Sequence, residues 1–388
     1  MRAAHVKADH SFAAALYGQL ASEQGNLVFS PASIRSALAM AALGARGETA
    51  AEMARTLAFT GEQDHEDLAA VLAEWRARSE PAGQPAAHQR DVLRVVNRLW
   101  GQTGYTIQPE FCQALLAIYA SSLQALDFAG DCQASRLAIN AWVREQTEGR
   151  IADLLSPPHV QPDTRMILTN AVYLKAMWAH EFTEWGTREG PFWTAAAAHV
   201  PAQLMTQTTT LGYADLRDCQ IVELPYAADK LGMIVILPRV RDGLPRLEQA
   251  LARSGLEPWL GERRPTLVHV VLPRFRATSL LSLATVLLRM DMAHAFRYGQ
   301  ADFSGIDGTR ELYLSDAIHQ AFIAVDEHGT DAAAATALVL ISSCIPLATP
   351  QPKEFCADHP FLFLLHDREN GRIVFMGRVV DPRGASTD

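Results

Sequence analysis

Lysine is scarce in this chain. Lys7, Lys175, Lys230 and Lys353 are the only four among 34 basic residues; the other thirty are arginines. Acidic residues number 43, and the formal net charge is -9. That sign excludes bulk attraction to nucleic acid or to an anionic membrane as the basis of function. Cysteine is sparse as well: Cys112, Cys132, Cys219, Cys344 and Cys356. An odd count cannot pair completely, and no C-x-x-C occurs, so neither a closed disulfide framework nor a paired-cysteine zinc site is expected. Free thiols suit a reducing compartment. No apolar stretch reaches the length of a membrane span. The run Phe12–Leu20 is interrupted by Gly18 and Gln19 and followed by Glu23, unlike a signal peptide. The cytoplasm is therefore favoured, and an extracellular location stays open.

Enzyme signatures are also missing. There is no GxSxG elbow, no GxGxxG after a strand, no P-loop and no HExxH. The 13 histidines are scattered, and nothing groups Ser, His and Asp into a triad. The chain reads as a non-enzyme without cofactor or metal.

What is present is a large core. Hydrophobic residues are 49% and charged residues 20%, too apolar for a disordered chain. Phe12, Leu16 and Leu20 fall on one helical face. Ser30-Pro31 sets an N-cap before a proline at the first helical position, and Ile34, Leu38 and Ala41 or Ala42 continue that helix to Gly44. Thr49 and Glu52 have capping-box spacing for the next helix. Residues 111–119 and 136–147 read as helices. Residues 166–175, 231–237 and 266–272 read as strands, and 361–365 with 373–376 as a hairpin around Asn370-Gly371. Residues 79–90 form a polar surface loop. Helices dominate early and strands late, which predicts an α+β fold.

The unusual segment is Val325-Asp-Glu-His-Gly-Thr-Asp-Ala-Ala-Ala-Ala-Thr-Ala337. Local propensity makes it a helix capped by Thr330, with Asp331 complementing the dipole. Against this, residues 338–341 turn bulky and β-branched, and Pro346, Pro350 and Pro352 impose extended chain.

Residues 327–335 resemble the hinge of an inhibitory serpin's reactive loop. The likeness extends to Asn26-Leu-Val-Phe-Ser-Pro-Ala-Ser33, Leu43-Gly-Ala-Arg-Gly47, Asn140-Ala-Trp-Val143, Thr169-Asn-Ala-Val-Tyr-Leu-Lys175, Ala301-Asp-Phe-Ser-Gly-Ile306, His359-Pro-Phe-Leu-Phe363 and Phe375-Met-Gly-Arg-Val-Val-Asp-Pro382. The arginine and alanine bias suits a GC-rich bacterial genome. The resemblance implies one serpin domain over residues 1–388, about nine helices, three β-sheets and an exposed reactive-centre loop at about 327–352. It implies a monomeric suicide-substrate inhibitor that traps a serine protease by inserting its cleaved loop into the main sheet. Its hinge would comprise Glu327, Gly329, Thr330, Ala332, Ala333, Ala334 and Ala335. Ser30, Ser33, Asn170 and His319 match the polar shutter beneath the central strands. Trp178, Arg274 and Glu327 match the breach above them, with Arg274 paired to Glu327. A non-inhibitory member, acting as chaperone, carrier or storage protein, is the alternative; bulky, charged or proline hinges mark such members, and this hinge has small ones.

In an inserted strand the faces alternate. Thr330, Ala332, Ala334, Thr336, Leu338 and Leu340 would face the core, and the odd-numbered residues the crossing helix. Family spacing places the scissile bond at Ser343–Cys344, with Ser342–Ser343 and Cys344–Ile345 as neighbours. No Lys or Arg lies between His328 and Lys353, and no aromatic residue precedes Phe355 in the loop. An elastase-like or subtilisin-like protease with a small or shallow primary pocket is the expected partner. Only Arg90 is basic in the loop 79–90, so no heparin site is expected.

Overall fold

The structure, a computed structural model, describes residues 2–61, 63–79, 92–195, 197–330 and 351–384. Its main sheet has six strands. Their order is Phe275–Ser282, Leu314–Val325, Gly329–Thr330, Met166–Met177, Val92–Gln102 and Leu123–Leu126. Met166–Met177 is buried along almost its whole length, which is why its sequence is nearly continuously apolar instead of alternating. Met166, Leu168, Val172, Leu174 and Ala176 point into the large core. Ile167 and Ala171 point the other way, into a smaller cluster with Trp100, Ile139 and Val143.

The helix Pro31–Ala42 lies against the core side of this sheet. Ser30 caps it by accepting from the Ser33 amide, and Pro31 occupies the first turn. Nearly every residue of this helix is buried, which accounts for its many alanines. On the opposite face runs Cys132–Gln146, longer at its start than the sequence indicates. Asp131 caps it by accepting from the Ala134 amide at 2.8 Å, and Ile139 and Val143 are its anchors.

A second, nine-stranded network runs Leu27–Phe29, Ile373–Val379, Phe361–Asp367, Leu231–Pro238, Cys219–Pro225, His199–Asp215, Arg264–Pro273 and Lys353–Cys356, with Arg188–Trp193 beside His199–Asp215. His199–Asp215 reaches Cys219–Pro225 only through Gly212–Asp215. That short pairing keeps the network continuous, so the described residues form two hydrogen-bonded sheets where three were expected. The hairpin around Asn370-Gly371 forms, with Gly371 at φ +77°. Its turn is wider than two residues because Asp367 gathers the amides of Glu369 and Asn370.

The capping box at Thr49 and Glu52 does not form. The helix starts earlier, at Gly47, and both side chains serve distant backbone instead. Thr49 accepts from the Asp302 amide, and Glu52 from the amides of Ala293 and His294. Tertiary partners thus override a local motif. Among the described residues, ten α-helices are present, two of them four residues long, and no helix is long and apolar enough to cross a membrane.

Candidate functional site

The site is a seam in the main sheet. Leu314–Val325 and Met166–Met177 pair directly and in parallel, from Leu314 opposite Met166 to Phe322 opposite Tyr173. Parallel pairing is the slightly weaker kind. Above Tyr173 the strands part, and Gly329–Thr330 lies between them, antiparallel to both. Thr330 stands opposite Ala176 on one side and Val325 on the other. The chain reaches this position through a turn at Asp326, whose carboxylate accepts from the amides of His328 and Gly329 at 2.9 and 3.2 Å. A Cβ on residue 329 would lie 2.0 Å from the Ala176 carbonyl oxygen, so only glycine fits. Thr330 is fully buried, its hydroxyl 2.7 Å from that of Tyr226.

This placement corrects the local reading of Thr330 as a helix cap. Two flanking strands offer ladder partners, and the side chain is satisfied within the sheet. Ala332, Ala333, Ala334, Ala335, Ser343 and Cys344 lie outside the described residues.

Beside the turn, Trp178 stacks on Tyr226 with ring centroids 4.6 Å apart. Its indole N–H donates to the Asp326 carbonyl at 3.0 Å and its amide to the His328 carbonyl at 2.8 Å. Glu327 is 2% exposed and takes Arg274 at 2.7 Å, with Thr187 donating to the same oxygen. Burial alone would raise the Glu327 carboxyl; the bonds from Arg274 and Thr187 outweigh it and hold the group below its usual value. The structure thus brings Trp178, Arg274 and Glu327 together at the top of the seam.

Ser30, Ser33, Asn170 and His319 also meet, lower down. His319 and Asn170 are register partners across the seam. Nε2 of His319 accepts from the Ser30 amide at 3.1 Å, so Nδ1 carries the proton and donates to the Asn170 amide oxygen. The Asn170 nitrogen donates to Ser33 and to Asn97. Asn97, on the adjoining strand, is a member that sequence reasoning misses. Its strand also carries Arg94, Arg98 and Gln102, so nothing in the sequence singles it out. Its own side-chain nitrogen is buried without an acceptor, so this network is not fully satisfied.

Burial drives the His319 pKa down to about 3. The imidazole therefore stays neutral in the folded chain while an unfolded one titrates near its usual 6.5. The folded state gains from this above 6.5, and the gain is lost as pH falls from there towards 3. Chemical denaturation at stepped pH is expected to show this loss, and His319→Gln to have a shallower dependence across that window. An unchanged slope in the variant would contradict the neutral tautomer.

No group of three or more His, Cys, Asp or Glu among the described residues is arranged to hold a metal ion. The free thiols among them are Cys112, Cys132, Cys219 and Cys356.

Comparisons with known proteins agree with this geometry. A family model described as serpin (serine protease inhibitor) matches residues 7–382. An uncharacterized serpin-like protein of Thermococcus kodakarensis is 40% identical, over 97% of this chain and 86% of its own. A leukocyte elastase inhibitor of Xenopus laevis is 36% identical, over 92% of this chain and 93% of its own. Among solved structures, a highly specific serpin of the insect Tenebrio molitor superposes with a TM-score of 0.84 at 30% identity, covering 97% of this chain and 98% of that one. With a seam of this construction and a family match along almost its whole length, the chain belongs to the serpin family.

Proposed function

We propose that this chain irreversibly inhibits serine proteases by carrying an acylated protease along as its loop inserts into the seam. The single observation that supports this reading is Thr330, already seated between the two strands that would have to open. Continuing its register puts Ala332 beside Leu174 and Ile323, Ala334 beside Val172 and Ala321, Thr336 beside Asn170 and His319, and Leu338 beside Leu168 and Ala317. Apart from the polar Asn170–His319 pair, every neighbour in that row belongs to the large core. The even-numbered face of the loop is small or apolar, so it matches the row it would enter. Each ladder hydrogen bond nets ~1 kcal/mol, and a new central strand gains them on both edges. A dozen residues then supply ~10 kcal/mol or more, comparable with a whole domain's stability of about 5–15 kcal/mol.

In this reading Glu327, Gly329, Thr330 and Ala332–Ala335 are the hinge. Trp178, Arg274 and Glu327 hold the top of the seam closed, and Ser30, Ser33, Asn170 and His319, with Asn97, lock its middle. The scissile bond is Ser343–Cys344. A serine there fits a small or shallow primary pocket, and the loop offers a trypsin-like enzyme no cationic anchor. Association rates with trypsin, chymotrypsin, pancreatic elastase and subtilisin test the assignment. Elastase and subtilisin are expected to form SDS-stable complexes at the summed mass fastest. Fast trapping of trypsin alone would overturn the target class. Loop cleavage by all four with no covalent complex would favour a non-inhibitory member of the family.

A further inference from the structure

The hinge carries a histidine whose surroundings the trapping reaction does not require. His328 lies in the turn that delivers Gly329 and Thr330 to the seam. Its Nδ1 is 3.2 Å from Glu181 and its Nε2 is 3.2 Å from Glu184. Ionised carboxylates only accept hydrogen bonds, and a neutral imidazole has a single N–H. Both contacts are hydrogen bonds only if both ring nitrogens carry protons. The ring is 15% exposed, Glu181 29% and Glu184 69%, so the imidazolium is held at the edge of the breach and not sealed in the core.

The same segment also holds the hinge through its backbone. The Trp178 amide donates to the His328 carbonyl, and the Phe182 amide to the Glu327 carbonyl at 2.9 Å. Trp178 to Glu184 thus grips the hinge on both sides, and its side-chain grip depends on one proton. We infer that His328 is a proton-dependent positioning residue: as imidazolium it fastens the hinge to Glu181 and Glu184, keeping Gly329 and Thr330 seated for insertion, and as neutral imidazole it releases one of the two. This rests on the insertion reading above. Seating the first residues in advance removes the cost of ordering them before the ladder can propagate. A fastened hinge therefore favours trapping over release of cleaved inhibitor.

The charged groups acting on the ring are Glu181 and Glu184 from that segment and Asp326 from its own turn; Arg274, which Glu327 engages, acts on Asp326 and Glu184. Burial opposes the charge on His328, but the two glutamates outweigh it and raise its pKa above the ordinary value. With a raised folded pKa, the clamp is complete below the unfolded value and is lost as pH rises through the folded one. Asp326 is the other titrating group of the turn; burial raises its carboxyl.

The test compares wild type, His328→Gln and His328→Lys from about pH 5.5 to about pH 8.5, the range in which histidine changes charge. One readout is thermal unfolding of the uncleaved chain, which needs no protease. The other is the stoichiometry of inhibition with pancreatic elastase. Wild type is expected to match the Lys variant at the acid end and the Gln variant at the alkaline end. Across that range the ratio of trapped to released inhibitor should change about two- to fivefold, the factor carried by one ion pair of this exposure. The Lys variant should hold its advantage throughout. A wild-type profile parallel to that of His328→Gln in both readouts would overturn the inference, and a pH response kept by both variants would belong to Asp326. If no complex forms at any pH, the insertion reading fails, while the unfolding profiles still decide whether the clamp exists.

Discussion

A Thr330→Arg variant is expected to be cleaved by pancreatic elastase and to release it, with almost no covalent complex. Thr330 is fully buried between two strands, its hydroxyl beside that of Tyr226. An arginine on this row must either bring an unpaired charge into the core or withdraw the hinge from the seam. Burying a lone charge costs several kcal/mol. In the proposed mechanism acylation occurs at Ser343–Cys344, thirteen residues further on, so the first step should continue while the second stalls. A penalty of ~3 kcal/mol on seating shifts the competition between insertion and deacylation by about a hundredfold. Gel densitometry of complex against cleaved inhibitor measures this ratio. Complex at wild-type yield would show that seating residue 330 in the core row is not required for trapping.

Removing the centre of the polar lock should have the second largest effect. Asn170 joins His319, Ser33 and Asn97 across three elements. Asn170→Ala leaves the His319 N–H, the Ser33 hydroxyl oxygen and the Asn97 carbonyl oxygen buried with weakened or no partners. An unmet buried group costs about 1–3 kcal/mol, so the closed seam should lose ~3 kcal/mol or more. The strands then separate more readily before any protease arrives. Mild heating followed by native electrophoresis and residual inhibition measures the outcome. The variant should lose activity and convert to inserted or self-associated forms at temperatures the wild type survives. Equal survival would mean that the seam is held by its backbone ladder and core packing instead.

The residues differ in how far their sequence betrayed them. Pro31–Ala42 was legible because its cap, its proline and its apolar face are all local. Arg274 and Glu327, 53 positions apart, became a pair only through a family resemblance, and the structure places them 2.7 Å from each other. Thr49 and Glu52 misled, since a motif that normally caps a helix was used to bind the chain near Asp302 and Ala293. Thr330 misled in the same way: helix propensity is worth a fraction of a kcal/mol per residue, and two open strand edges outweigh it. Asn97 and the glutamates around His328 carry no pattern at all. Their roles come from register and from a turn, and neither is written in spacing along the chain.

Insertion itself is most directly tested by hydrogen exchange, read by mass spectrometry on the intact chain and on the elastase complex. If the loop enters the seam, peptides covering 331–341 become strongly protected in the complex. Those covering 166–173 and 314–322 stay protected, because each strand exchanges its old partner for the new one. Residues 331–341 exchanging as fast in the complex as in the intact chain would contradict insertion, however stable the covalent bond.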